Sequence, residues 1–197
     1  MRLASDRRGV AAIEFAIIAP IFLLLLLATF DLVQYLRAQL RLDTIAVQVG
    51  QIVSQCKQIT TPGDTDQFWS DAQQIAGSVV DFTNPLGGAI IVSAIYLSNG
   101  ANKVAWQIRK GNSLFKSNIG VTGQTTPVLS SFLVPSGQTL ITTEVFTNAN
   151  PWVLSSAFMG GGKTNTLYGN SLLLSRSTNP AQLQQTPTAS NSTVCMS

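Results

Sequence analysis

At 197 residues the chain has room for one domain with its own core, and not for two. Its 12 lysines and arginines face 9 aspartates and glutamates, and charged residues are only 11 % of the chain, so it lacks the basic surplus that marks a nucleic-acid binder. It has no histidine, which removes the commonest general base, the commonest metal ligand and every histidine-dependent triad.

The first element is the stretch 6–31, DRRGVAAIEFAIIAPIFLLLLLATFD. Residues 10–30 are 21 in a row with Glu14 as their only ionisable member. At 1.5 Å per residue they make a helix of about 31 Å, enough to cross a hydrocarbon core, so one membrane span is expected. Arg2, Arg7 and Arg8 precede the run, which predicts a cytoplasmic N-terminus and translocation of everything after Asp31. A removable signal peptide has a shorter apolar run ending in a small-x-small site, and Ala28-Thr29-Phe30 is a poor version of one. Gly9 stands where the basic head meets the apolar run, and Glu14 follows five residues later. A carboxylate inside a span costs up to about 2.5–3.5 kcal/mol at its centre, less near its end, so Glu14 needs a partner.

This opening resembles a prepilin, and more closely the TadE-like proteins of Tad (Flp, type IVc) pilus systems. The resemblance rests on RRGVAAIEFAIIAP, with its arginines, its A-x-E-F-A core and Pro20 six residues after Glu14. It covers about the first forty residues. It implies that a prepilin peptidase cuts between Gly9 and Val10 on the cytoplasmic side and that Glu14 becomes the fifth residue of the mature chain. Such a cut creates an ammonium on Val10, with a reference pKa near 8, at the edge of a low-dielectric medium where an unpaired charge is expensive. Glu14 of the same subunit or of a neighbour neutralises it. The blander alternative is a carboxylate near a helix N-terminus, favoured by the macrodipole by about 0.3–1 kcal/mol and snorkelling to the interface. Cleavage would also leave nine basic against eight acidic side chains.

Beyond Asp31 the helical pattern continues to Gln58 with no proline and one glycine. Leu32, Leu36, Leu40, Ile45, Val49, Ile52, Val53 and Cys56 recur at spacings of three and four between polar residues, an amphipathic continuation with an apolar face to bury. The helix is expected to run from about residue 11 to residue 58, roughly 70 Å, with a kink site at Pro20 and a stop at Pro62-Gly63.

A second helix is predicted with Asp64 as N-cap, Gln67 at capping-box spacing, and Phe68, Trp69, Ala72, Ile75, Ala76, Val79 and Val80 on one face. Asn84-Pro85 and Gly87-Gly88 end it. The stretch 89–98, AIIVSAIYLS, and the alternation Val104, Trp106, Ile108 within 103–109 read as a hairpin with a loop of about four residues around Asn99-Gly100. Residues 110–137 read mostly as loop, with apolar pieces at 114–115 and 128–134. A third strand is predicted at 138–146 (QTLITTEVF), a short apolar segment at 152–158 and a fourth strand at 167–175. Strands after helices imply an α+β fold: a long N-terminal helix packed on a small antiparallel sheet, with a second shorter helix. TadE-like proteins carry a V-E-V strand followed by aromatics and proline, then a last strand running into arginine. Glu144-Val145-Phe146 with Pro151, and the stretch 172–176, resemble these, although Thr147 and Asn148 depart from the aromatic pattern.

Residues 177–193 are almost all Ser, Thr, Asn, Gln, Pro and Ala, and read as a disordered or surface-hugging tail. The two cysteines, Cys56 and Cys195, lie beyond the span and hence in an oxidising compartment under this topology. An even pair there reads as a disulfide tying the tail to the end of the first helix, two separate thiols being the alternative.

Other motifs carry less. Gly160-Gly161-Gly162-Lys163-Thr164 lacks the first glycine of a phosphate loop, since residue 157 is alanine, and reads as a surface loop. Asp64, Asp66, Asp71 and Asp81 are explained by helix capping and dipole complementarity better than by calcium. Lys103, Arg109, Lys110 and Lys116 around Trp106 and Phe115 form a possible patch for single strands or sugars, but a charge-protected hairpin edge is the better reading.

The expected organisation is a leader at 1–9, a transmembrane segment at 10–30, the amphipathic continuation at 31–60, a periplasmic or extracellular α+β head at 61–176 and a polar tail at 177–197. The resemblance implies a non-enzymatic minor pilin (pseudopilin) without cofactor, single-pass in the inner membrane with its N-terminus cytoplasmic, that primes or caps a Tad pilus. Implied partners are the prepilin peptidase, other minor pilins and the major pilin, and the assembly platform and ATPase, with no nucleic acid. Two alternatives remain: an uncleaved single-span periplasmic scaffold, and a pilus-tip adhesin using Trp106 or Trp152.

Overall fold

The computed structural model describes residues 8–126, 132–149 and 165–195. In chain order these form α1 (Arg8–Gln55), β1 (Thr60–Pro62), α2 (Gly63–Ala76), β2 (Ala89–Ser98), β3 (Ala101–Gly111), β4 (Leu140–Ala149), β5 (Asn165–Leu174), a 3-10 turn at Pro180–Gln184 and β6 (Thr188–Ser190). The class is α+β. The predicted apolar segment at 152–158, Pro151, and most of the stretch 128–134 lie outside the described residues.

The chain divides into two packed units. One takes in the N-terminal part of α1 up to Arg37; the other contains α1 from Ala38, the strands and the C-terminal tail. In the second unit β3, β2, β4 and β5 lie side by side in that order as an antiparallel sheet. Strand β2 is central, and residues 89–95 are all buried because both faces of the sheet are covered. The β2–β3 turn is shorter than the predicted four residues: Asn99 (φ 52°) and Gly100 (φ 76°) make it alone. Two consecutive positive φ values give a turn whose twist matches that of the strands.

One face of the sheet is covered by α1, through Leu42, Ile45, Ala46, Val49 and Val53. Contact is close because β5 carries small residues there. A Cβ on Gly169 would lie 2.8 Å from the carbonyl carbon of Leu42, and one on Gly50 would lie 2.7 Å from Ser171 Oγ. Three hydrogen bonds bridge helix and strand end: Gln39 Nε2 to Tyr168 O at 2.8 Å, Ser171 Oγ to Ala46 O at 2.7 Å, and Arg176 N to Ser54 O at 2.7 Å. The apolar face is narrower than the pattern predicts. Leu32, Leu36 and Leu40 are exposed, and burial of apolar side chains starts at Leu42. At 100° per residue Leu40 stands well round the helix from Leu42, Val49 and Val53.

The opposite face is covered by segments 112–126 and 132–137, which supply Ile119 and Val134 to a cluster with Ile95, Val104 and Leu140. Phe115 stacks on Phe146 at 5.4 Å beside Ala89 and Ile91, and Tyr168 closes this second cluster. The predicted loop is thus a covering layer.

Helix α2 buries Phe68, Trp69, Ala72 and Ala76, whereas Val79 is exposed. Its N-terminus differs from prediction. Pro62 occupies the N-cap position without a side-chain cap, Asp64 lies inside the first turn, and Gln67 donates to Asp71. The tail is ordered against the surface. Leu183 is buried, its carbonyl accepts from Trp106 Nε1 at 2.6 Å, Thr139 Oγ1 donates to Pro180 O, and β6 pairs in parallel with β1. A buried leucine, backbone hydrogen bonds and a covalent tie at Cys195 together hold an otherwise polar stretch.

Candidate functional site

Glycine at residue 9 and valine at residue 10 fall in the first turn of α1. Glu14 is four residues after Val10, one helical turn and about 6 Å further on, on the same face. It is exposed, as are Ile13, Phe15, Ile17, Ile18 and the leucines 23–26. Nothing in the most apolar window of this helix is buried, and the helix is long and apolar enough to cross a membrane. Water cannot accommodate such a surface; lipid or other apolar helices can.

Pro20 lies within α1, which runs on through it. A proline has no N–H, so the carbonyl of Ala16 loses its helical donor at this point. Further along, Thr29 Oγ1 donates back to Leu25 O at 2.8 Å, keeping the hydroxyl paired within its own helix.

The second unit holds two buried carboxylates, both in structural roles. Glu144 on β4 is fully buried. Its Oε1 accepts from Asn118 N at 2.9 Å and from Tyr168 OH at 3.1 Å, and its Oε2 accepts from Ser117 Oγ. This pins the covering layer to the sheet. Burial, reinforced by the nearby Glu144 charge, pushes the Tyr168 hydroxyl up to about 12. Asp64 is also buried: Oδ2 accepts from Thr60 N at 2.8 Å and lies 2.9 Å from Thr60 Oγ1, and Oδ1 accepts from Val194 N at 2.9 Å and Cys195 N at 3.1 Å. It therefore clasps the end of the tail rather than capping α2. Beside it Cys56 and Cys195 are joined, with Cα atoms 4.3 Å apart and a sequence separation of 139.

The remaining sequence candidates are not brought together. Asp81 organises its own turn: the Thr83 hydroxyl and backbone hold its carboxyl below the usual range. Among the described residues no group of three or more Cys, Asp and Glu is placed to hold a metal. The basic aromatic patch does not form, because Trp106 is buried and occupied by Leu183 O, Phe115 stacks inward, and Arg109 donates to Asn112 O and Phe115 O. Trp152 and the 160–164 loop lie outside the described residues. Sequence reasoning missed Asp64 as a clasp. The one local signal was Thr60 four residues before it, which pairs with it at both backbone and hydroxyl.

A family model described as TadE-like protein matches residues 9–50. The match begins at Gly9, takes in Glu14 and Pro20, and ends at Gly50, so it covers most of α1 and none of the sheet. No curated protein and no solved structure matches the chain.

Proposed function

We propose, on the premise of that TadE-like match over the N-terminal helix, that this chain is a minor pilin-like subunit (pseudopilin) of a Tad (type IVc) pilus. In this reading it sits in the inner membrane with its N-terminus cytoplasmic. A prepilin peptidase cuts after Gly9, and the helix then packs with other minor pilins and the major pilin to prime or cap assembly. The platform and ATPase of the system extract it. The subunit does no chemistry of its own.

The observation that carries the reading is the unburied apolar face of α1 with one carboxylate, Glu14, a single turn from Val10. Apolar side chains supply van der Waals contact between helices in lipid, where the hydrophobic effect no longer drives association. Glu14 neutralises the Val10 ammonium of its own subunit or of a neighbour, and in the second case it also supplies register, because the charges meet only when the two helices align. The adhesin alternative loses Trp106, which is buried.

Glu14→Gln tests the reading. The variant is expected to insert in the membrane and form the Cys56–Cys195 disulfide as the parent does, yet fail to support pilus assembly and fail to co-purify with other pilin subunits. Normal piliation with Glu14→Gln sinks the proposed role of that carboxylate.

A further inference from the structure

We infer that residues 188–195 form a redox-operated strap: the Cys56–Cys195 bond shuts it over the corner between α1 and α2, and reduction releases it while the sheet stays folded. This goes beyond the pilus reading and is independent of what happens at Gly9.

The strap has a defined start. Upstream, Pro180–Gln184 is fastened by buried Leu183, by the Trp106 bond to its carbonyl and by the Thr139 hydroxyl. Downstream, residues 188–194 bury no side chain; all are exposed or half-exposed. Among the bonds that hold the strap besides the disulfide are the three-residue β1–β6 pairing, Thr188 N donating to Ile59 O at 3.1 Å, the N–H groups of Val194 and Cys195 donated to Asp64, and Ser192 O, which lies 2.6 Å from the Thr60 hydroxyl. A pairing of that length at a surface is marginal without further support, because each bond exchanges with water at little net cost.

The receiving side is built for main chain. A Cβ on Gly63 would come within 2.3 Å of Ser192 O, so only glycine lets the strap lie this close. Thr193 and Cys195 form one wall of a cavity of about 460 Å³ whose other walls include Ile52, Asp64, Gln67 and Phe68. The pocket already admits water, and departure of the strap removes one of its walls. Asp64 then exchanges the N–H groups of Val194 and Cys195 for solvent, so opening leaves no buried orphan charge.

Nothing from the strap enters the clusters around Ile95 and Phe146 on the sheet face away from α1, so the strap can leave without disturbing that layer. Closing requires an oxidant of the disulfide class: two thiols lose two protons and two electrons to it by thiol–disulfide exchange, through a mixed disulfide. Opening requires a dithiol, which gives two electrons and its own two protons and becomes a disulfide, or a phosphine, which gives two electrons and takes the oxygen of a water molecule whose two protons go to the thiols.

The test is amide hydrogen exchange on the full chain in detergent micelles. The oxidised protein is compared with the same protein treated with a phosphine, reduction being verified by alkylation of both thiols, and with a Cys56→Ser, Cys195→Ser double variant. Exchange across 188–195 is expected to quicken by about tenfold or more in both reduced forms, with 89–97 and 140–147 unchanged. Undiminished protection of 188–195 after both thiols are alkylated overturns the inference, since hydrogen bonds alone would then close the strap. Equal loss of protection in the sheet also overturns it, by making the disulfide a staple of the whole fold.

Discussion

The Tyr168 hydroxyl donates to Glu144 Oε1 at 3.1 Å, joining the edge strand β5 to its neighbour β4 beneath the layer formed by residues 112–126. Glu144 takes two further donors from that layer, Ser117 Oγ and Asn118 N, so one carboxylate fastens three pieces of chain.

Replacing Glu144 should therefore be costly in a graded way. Glu144→Leu leaves three donors without their acceptor and is expected to destabilise the protein by about 3 kcal/mol. Glu144→Gln keeps one carbonyl oxygen for the Asn118 and Tyr168 donors and is expected to lose about 1 kcal/mol. Urea unfolding of the full chain in micelles, followed by tryptophan fluorescence, measures both. Equal losses for the two variants would mean that Glu144 acts through its bulk alone.

Tyr168 predicts an alkaline limit. Its folded-state value of about 12 lies above the ordinary tyrosine value of 10.0, so the folded protein holds this proton more tightly than the unfolded chain does. The contribution is complete below pH 10 and declines as the pH rises towards 12. Tyr168→Phe is expected to flatten the fall in melting temperature between pH 9.5 and 11.5 relative to the parent, the other tyrosines and lysines being common to both. Parallel melting curves across that range would show that the hydroxyl is not held as described.

The contact between α1 and β5 depends on Gly169 more than on Gly50. An added methyl at Gly169 meets helix backbone, at 2.8 Å from the Leu42 carbonyl carbon and 3.0 Å from Asp43 N, and backbone has no rotamer to change. Gly169→Ala is expected to cost about 2–3 kcal/mol. At Gly50 the nearest atom is the Ser171 hydroxyl, which turns away only by giving up its bond to Ala46 O, a loss offset by the roughly 1 kcal/mol of helix propensity that alanine regains. Gly50→Ala should thus stay within about 1 kcal/mol of the parent. A reversed order would show that the helix, and not the strand, sets the spacing.

Long-range periodic signals were legible in the sequence and non-local polar pairings were not. The apolar run of α1, the β-branched runs of β2 and β4 and the leucines 172–174 of β5 declare their elements because hydrophobic period follows directly from backbone geometry. The Cys56–Cys195 bridge followed from compartment and parity. The start of apolar burial at Leu42 was hidden because Leu32, Leu36 and Leu40 extend the apolar pattern without being covered. Asp64 reads as a helix cap from its neighbours, but its tail partners lie 130 and 131 residues away. Glu144 sits in an alternating strand pattern that gives no sign of the three donors waiting for it. Leu183, the single large apolar residue in a polar stretch, offered too small a pattern to announce an anchor.

The central claim is that α1 becomes a pilin-type helix by losing residues 1–9. Its most direct test is the intact mass of the membrane-inserted protein from cells with and without prepilin peptidase activity, alongside Gly9→Ala. The account predicts a mature chain beginning at Val10 only when both the peptidase and Gly9 are present. Retention of residues 1–9 in the functional protein would contradict it, remove the Val10 ammonium that Glu14 is proposed to neutralise, and leave an anchored scaffold as the better description.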